Sequence, residues 1–469
     1  MREHNLLILS DVHLGSDLVH HARPDAPLRG AAAEERDREL IALLDWYRLR
    51  PEGGRPWRLV IAGDLVDFVG MSVSPPPGVL EKTLSAEERR HGLGSTAEHT
   101  RAKLRRVAAR HREVFAALAR FLGCGNSLVV VRGNHDVDFH WRPVQAEFRA
   151  LIAEHEPLAA LRVRFADWFY YEEGVVYVEH GHQYDGYCSL EHVLHPVKPS
   201  DPGRSYRSLS DLLLRIVVRP TRGLFESGHD TATALDYLRF AAQLGARGMF
   251  ALGRRFVVAI AAAIGVWREH MSEAARRVRD EHERKMALLA EAAEVGLGRL
   301  RALSRLQRPP VTRSLLRILA GLMIDRVAFT VALVALALWA LIARWTPLFA
   351  VEAAGGLTLI GAGAWAWRRV RSEVSTVESL REQAARIATL FPAAFIVMGH
   401  SHVPEVRRAP GGDATYVNLG AWAGDEPPDG SPASNAPSRT HLIVSRASGA
   451  PEARFLAWRA GVGPTRFGS

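Results

Sequence analysis

Five short motifs carry nearly all the chemistry this chain can offer. They are Asp11-Val12-His13, Gly63-Asp64-Leu65-Val66-Asp67, Gly133-Asn134-His135-Asp136, His180-Gly181-His182 and Gly399-His400-Ser401-His402. Their carboxylates, amide and imidazoles are the hard and borderline donors that hold divalent cations. Phosphate esters resist hydrolysis because the anionic centre repels hydroxide. Two cations about 3.5–4 Å apart remove that obstacle by acidifying a shared water, neutralising phosphoryl oxygens and orienting the attack. Such a pair needs a carboxylate shared by both cations, together with oxygen and imidazole ligands from several segments.

The spacing suggests roles. Asp11 and His13 are expected to alternate at a strand end and point the same way, as are His400 and His402. Asp64 is the choice for the shared carboxylate, with Gly63 allowing the backbone to turn before it. Asn134 offers a neutral amide oxygen. His180, directly after an apolar run, is preferred as ligand to His182. His135 follows a ligand and suits a proton donor to the leaving oxygen or a phosphate-binding cation. Asp67, read as one helical turn from Asp64, suits an acceptor that holds the His135 ring. Asp136 reads as a turn cap, and His140, Tyr184 and Asp185 as pocket lining or ordinary loop polarity. The expected cofactors are two divalent metal ions. Manganese is preferred, with iron, zinc, cobalt and magnesium open.

The elements that must position these residues are also legible. Residues 5–10, 58–62, 127–132, 175–179 and 394–398 are continuous apolar runs, too short for helices, each leading into a motif. They read as buried strands of a layered α/β sheet. Further strands are expected at 414–418, 440–445 and 453–458, and amphipathic helices at 34–48 and 96–122. Residues 72–78 and 425–438, rich in proline, glycine and small polar residues, read as loops.

Composition restricts the alternatives. The 469-residue chain is 48% hydrophobic and 24% charged, with net charge +9 and pI about 9.9. Its arginines are spread along helices rather than gathered near the motifs, which argues against nucleic acid. They fit solvated helix faces or a membrane surface. Cys124 and Cys188 sit in no metal or redox spacing, and no disulfide framework is expected. No signal peptide is read at the N-terminus.

From about 198 to 390 the strand signals end and Ala/Leu/Arg helices take over, such as 267–303 and 370–390. This block separates the fourth motif from the fifth, so it reads as an insertion within one catalytic domain formed by 1–197 and 391–469. Within it, 327–343 lacks any charge and 345–367 carries only Glu352. Each approaches the roughly 20 residues that span a bilayer. They are expected to form a membrane hairpin, the alternative being a pair of core helices. Topology favours the hairpin. The motifs before and after it must share one site, so the number of crossings must be even. Arg313, Arg317 and Arg326 before it, and Arg368, Arg369 and Arg371 after it, place both outer ends in the cytoplasm. The catalytic domain is thus expected at the cytoplasmic face of a bacterial-type inner membrane. The runs 256–267 and 212–218 read as too short to span, suited to the interface or to a core.

Taken together, the motifs resemble those of the calcineurin-like metallophosphoesterase superfamily, over 1–195 and 395–422. The resemblance implies a four-layer α/β/β/α sandwich. It also implies one metal held by Asp11, His13, Asp64 and His402, and a second by Asp64, Asn134, His180 and His400. The stretch 416–422, containing Asn418, resembles the strand that follows the last His pair in that superfamily. One branch, the bacterial UDP-2,3-diacylglucosamine hydrolases of lipid A synthesis, is similar in layout, with a helical insertion before the last His pair. The chain departs from it with His135 where that branch usually has Arg, and with a far longer insertion. The expected activity is hydrolysis of a phosphate mono-, di- or pyrophosphate ester at the membrane face, on a substrate that is lipid-linked in the narrower version. A non-catalytic membrane scaffold is the reading from another class.

Overall fold

The computed structural model describes residues 4–19, 31–76, 78–221, 234–321, 335–336, 338–340, 349–370, 375–424, 438–445 and 450–468. Its strands are β1 (Asn5–Leu9), β2 (Trp57–Ala62), β3 (Ser127–Val131), β4 (Val163–Ala166), β5 (Phe169–Glu172), β6 (Val176–Glu179), β7 (Val197–Lys198), β8 (Asp201–Ser205), β9 (Phe395–Met398), β10 (Glu405–Arg408), β11 (Thr415–Asn418), β12 (Thr440–Ser445), β13 (Glu452–Arg459) and β14 (Gly463–Arg466). A seven-stranded sheet runs β14-β13-β12-β1-β2-β3-β4, and a five-stranded sheet runs β10-β11-β9-β6-β5. β1 to β4 are mutually parallel, as are β6, β9 and β11.

The two sheets face each other across a seam of aliphatic side chains. Leu6, Ile8, Val60 and Val129 come from one sheet, and Val176, Val178, Val397 and Val417 from the other. The opposite faces of the same strands are buried under helices, which is why these strands read as unbroken apolar runs. Helices Ala31–Arg48, Ala97–Arg110, Arg112–Gly123 and Arg142–Ala153 cover the larger sheet. Helices Glu273–Ala292, Leu297–Leu306 and Thr376–Leu390 cover the smaller one. The layers are therefore α/β/β/α.

Several expectations change. The expected helix 96–122 breaks at His111, whose φ is −110° and whose ring is held by Asp37. The expected helix 267–303 is interrupted at Ser272, which caps Glu273–Ala292, and again before Leu297. A hairpin of β7 and β8 stands where no strand was expected. Met286, Ala290, Leu300 and Leu303, from the block set apart as an insertion, pack into the outer layer of the smaller sheet. That block completes the sandwich as well as interrupting it.

The apolar run 256–267 belongs to a longer helix. Ala234–His270 is kinked at Gly245, where φ is +63°, a conformation open to glycine because it lacks Cβ. Its segment Gln243–His270 spans 28 residues at mean hydropathy 1.8 and is long and apolar enough to cross a membrane. The expectation that this run is too short is overturned, because the apolar character extends back through Met249, Phe250 and Leu252. Leu212–Val218 takes the core alternative: Leu214, Ile216 and Val217 are buried, and this segment packs against Leu252, Phe256 and Ala259 of the long helix. Most of the expected span 327–343, and the loop 425–437, lie outside the described residues. Of the second expected span, Phe349–Val370 is helical. A Cβ on its Gly356 would lie 2.8 Å from Leu336, so the two apolar segments touch there.

Candidate metal centre

The motifs all sit beyond the carboxyl ends of parallel strands, at the edge where open α/β sheets bind ligands. β1 leads to Asp11 and His13, β2 to Asp64 and Asp67, β3 to Asn134 and His135, β6 to His180, and β9 to His400 and His402. Asp11, Asp64, Asn134 and His180 are almost fully buried, while His402 is exposed at the mouth.

The convergence does not come from strand alternation. β1 stops at Leu9, and Asp11 and His13 take left-handed backbone angles, φ 56° and 50°. Asp64, His400 and His402 do the same at 56°, 68° and 57°. Among the described residues only two other non-glycine residues have positive φ, Glu294 and Arg439. Such angles cost energy for residues with a Cβ and concentrate where a site is over-determined by its surroundings. Neither is Asp67 on a helical turn from Asp64: residues 64–67 form a loop in which Val66 bridges to Leu14.

The donor atoms stand at the separations of ligands around shared cations. Metal–donor bonds of about 2.0–2.2 Å place neighbouring donors roughly 3–3.5 Å apart. His402 Nε2 lies 3.1 Å from Asp11 Oδ1. His180 Nε2 lies 3.2 Å from Asp64 Oδ2 and 3.0 Å from Asn134 Oδ1. His13 Nε2 lies 3.8 Å from both Asp11 Oδ1 and Asp64 Oδ2, too far for a hydrogen bond. It is buried without a hydrogen-bond partner, as a ligand atom awaiting a cation would be. Asp11, His13 and His402 form one potential cation-holding group, and Asp11, Asp64 and His180 another. The residues fit a pair of metals.

His400 stands differently. Its Nε2 lies 3.3 Å from Asp185 Oδ2, and its ring lies 5.2 Å from that of His180. Nε2 is engaged by a carboxylate, so Nδ1 is the atom left to act as ligand. His182 is buried with Nε2 against the Gln183 amide and joins no potential cation-holding group among the described residues.

The electrostatics match this geometry. Burial pushes the Asp64 carboxyl up, but the His180 and His135 rings pull it well below the carboxylate range. Asp11 is likewise held low, by His180 and His402 against its burial. Burial disfavours the His180 cation, yet Asp64 and Asp11 raise its pKa to about 9. In the absence of metal a proton on His180 balances the carboxylates, and cation binding must displace it. Its Nδ1 donates to the Ala62 carbonyl at 2.9 Å, which aims Nε2 at Asp64.

His135 lies beside this cluster, its ring 4.7 Å from that of His13. Its Nδ1 is 2.8 Å from Asp67 Oδ1. Asp67 also accepts from Gly70 N at 2.7 Å and from Arg219 at 3.0 Å. Its carboxyl is held well below the usual range because His135 and Arg219 outweigh the effect of burial. The His135 backbone N–H donates to Asp64 Oδ1 at 2.9 Å. Asp136 accepts from Gly133 N and Leu65 N at 2.7 and 2.8 Å and so ties two motif loops together.

Further residues position the motifs, and of these only Asn418 was noted in the sequence. Ser10 sits against Asp11 Oδ2 and the Ala62 carbonyl. Arg36 donates to the His13 carbonyl at 3.0 Å. Arg219, in an apolar stretch, reaches Asp67 from 152 residues away. Asn418 donates to the Gly399 carbonyl at 2.8 Å and pins the last His pair. Of the residues read as pocket lining, only Asp185 reaches a motif side chain. His140 lies tilted against Trp141, ring centroids 3.9 Å apart, and Tyr184 is buried in the core of the smaller sheet.

The sandwich and its carboxylate–imidazole cluster define a metal-dependent phosphoesterase. The chain belongs to the calcineurin-like phosphoesterase family, whose model matches residues 4–237. Comparison with curated proteins finds no match. The matched span ends before Gly399, so the approach of His400 and His402 to the other motifs is a finding of the structure alone.

Proposed function

We propose that this hydrolase cleaves a phosphate mono-, di- or pyrophosphate ester at a membrane surface, with Asp11, His13, Asp64, Asn134, His180, His400 and His402 holding two divalent cations. The observation that carries this reading is the place of Asp64, whose Oδ2 lies within 4 Å of both His13 Nε2 and His180 Nε2. One carboxylate thereby serves both halves of the cluster. The cations, with manganese preferred, would supply water activation and neutralise phosphoryl charge. His135, oriented by Asp67, donates a proton to the leaving oxygen. Arg219 keeps Asp67 ionised, and an ionised Asp67 keeps His135 able to carry that proton. Burial of Asp64, Asn134 and His180 strengthens each of these interactions.

The membrane reading is supported by the helix Gln243–His270, of which only 11% of the most apolar window is buried. Phe250 and Val257 are 78% and 64% exposed. A core helix would bury such side chains. Because His402 meets Asp11, the chain between them crosses a bilayer an even number of times or not at all. The long helix also packs along the 212–218 segment of the catalytic body. On this proposal the long helix lies in the interface beside that body, and the crossings are left to the apolar segments expected from the sequence to pair as a hairpin. In this reading the site would lie near headgroups at the cytoplasmic face, where a lipid-linked substrate would reach it. The test is hydrolysis by the full chain with manganese of a panel containing a generic phosphodiester and phosphorylated lipids. Cleavage of the lipids in preference is expected. Activity on soluble esters alone would remove the membrane part of the proposal.

A further inference from the structure

Beside the metal centre lies a second cavity, about 340 Å³ in volume, within the range of small-ligand sites. Its floor is the loop 69–72 that follows Asp67. Its walls carry Arg90, His91, Arg215, Arg219, Arg254 and Arg255, and no carboxylate lines it among the described residues. Glu87 and Asp67 pair with Arg215 and Arg219, but neither is among the residues that line the cavity. Arg255 donates to Thr221 at 2.7 Å, a neutral partner. Five guanidiniums and an imidazole thus line one void and make it positive among the described residues, a lining that suits an anion. The planar donor fork of arginine matches phosphate oxygens.

We propose that this cavity binds a phosphate-bearing group, either a second phosphoryl group of the substrate or the headgroup of an anionic lipid. The inference rests on the phosphoesterase reading for its link to catalysis and stands on its own for binding. Two features relate the cavity to the site and to the membrane. Arg219 is shared, since it lines the cavity and holds Asp67, which in turn holds His135. Arg254, Arg255 and Val258 belong to the helix Gln243–His270, so one wall is the element whose apolar residues are exposed. A ligand phosphate here sits next to the catalytic residues, and an attached apolar chain would leave along that helix.

The test uses the full chain in bilayer discs of phosphatidylcholine, stripped of metal by a chelator so that the metal centre does not recruit phosphate. Inorganic pyrophosphate is titrated into the wild type and into a double variant, Arg90→Gln with Arg254→Glu. Saturable binding by the wild type, weakened roughly tenfold or more in the variant, is expected. With metal restored, the variant should hydrolyse bis-p-nitrophenyl phosphate, which has no second anionic group, at the wild-type kcat/KM. Discs containing phosphatidic acid separate the sources: competition with pyrophosphate assigns a lipid headgroup, and its absence assigns a soluble or substrate-borne phosphate. Equal pyrophosphate binding by wild type and variant, or no binding by the wild type, overturns the cavity assignment. Variant-sensitive binding by a wild type that hydrolyses no ester would instead overturn the catalytic reading and leave the cavity standing.

Discussion

His402 Nε2 lies 3.1 Å from Asp11 Oδ1, although 391 residues separate them in the chain. The pair closes the metal centre across the whole helical block. It also constrains that block, since whatever the helices do at a membrane must return β9 to the side on which β1 began.

His135 is assigned to proton transfer rather than metal binding. Replacing it with alanine should leave the metal content unchanged and lower kcat by roughly 10²–10⁴-fold. An ester with a very good leaving group should lose least, since its departing oxygen needs no proton. Asp67→Asn should show the same pattern more weakly. Metal analysis beside the rate measurement checks this, and loss of metal from His135→Ala would show that the residue is a ligand.

Gly133 has no room for a side chain. A Cβ there would sit on the Asp64 carboxylate and within 2.7 Å of the Asp64 amide nitrogen. Gly133→Ala should therefore displace Asp64 and reduce metal affinity, while the helices and sheets persist. Circular dichroism together with metal titration distinguishes this from global unfolding, which would contradict it.

Lys103 supplies a pH signature. Burial and the nearby Arg215 and Arg207 lower its pKa to about 7, and its ammonium donates to the Phe68 carbonyl at 2.8 Å. The folded protein thus releases this proton at lower pH than the unfolded chain does. The unfolded state binds more protons between about pH 7 and 10.4, so stability rises with pH across that window, by at most about 1.4 kcal/mol per unit. Lys103→Met should abolish this rise. Denaturation midpoints at several pH values measure it, and an unchanged slope in the variant would refute the assignment.

Most of the sandwich was legible because its central strands are buried on both faces, which leaves unbroken apolar runs such as 127–132. The partly exposed edge strands β5, β10 and β14 lack that signal. In the candidate site, residue types and order were readable, because no common structural need places Asp, Asn and His after successive strands. The backbone that aims them was not. Left-handed angles at Asp11, His13, Asp64, His400 and His402 are set by surrounding loops, and such angles leave no trace in a sequence without glycine at those positions. Arg219 was hidden for another reason, since it acts through Asp67, a partner distant in sequence; Asp185 was noted only as pocket lining or loop polarity because its partner His400 is likewise distant.

Topology offers a separate test. A single cysteine at Thr346, with Cys124 and Cys188 removed, should react with an impermeant thiol reagent on spheroplasts. Cysteines at Ser314 or Ser372 should not react, because burying the flanking arginines at mid-bilayer would cost roughly 2.5–3.5 kcal/mol each. Labelling at Ser372 but not at Ser314 would mean one crossing, which the contact between His402 and Asp11 forbids.

The central claim is that one carboxylate, Asp64, unites the halves of a two-metal centre. Elemental analysis of the purified wild type and of Asp64→Ala, with hydrolysis assayed on the same samples, tests it most directly. Two divalent ions per chain in the wild type, with metal and activity both lost from the variant, is the predicted result. Two ions and full activity retained by Asp64→Ala would contradict the account.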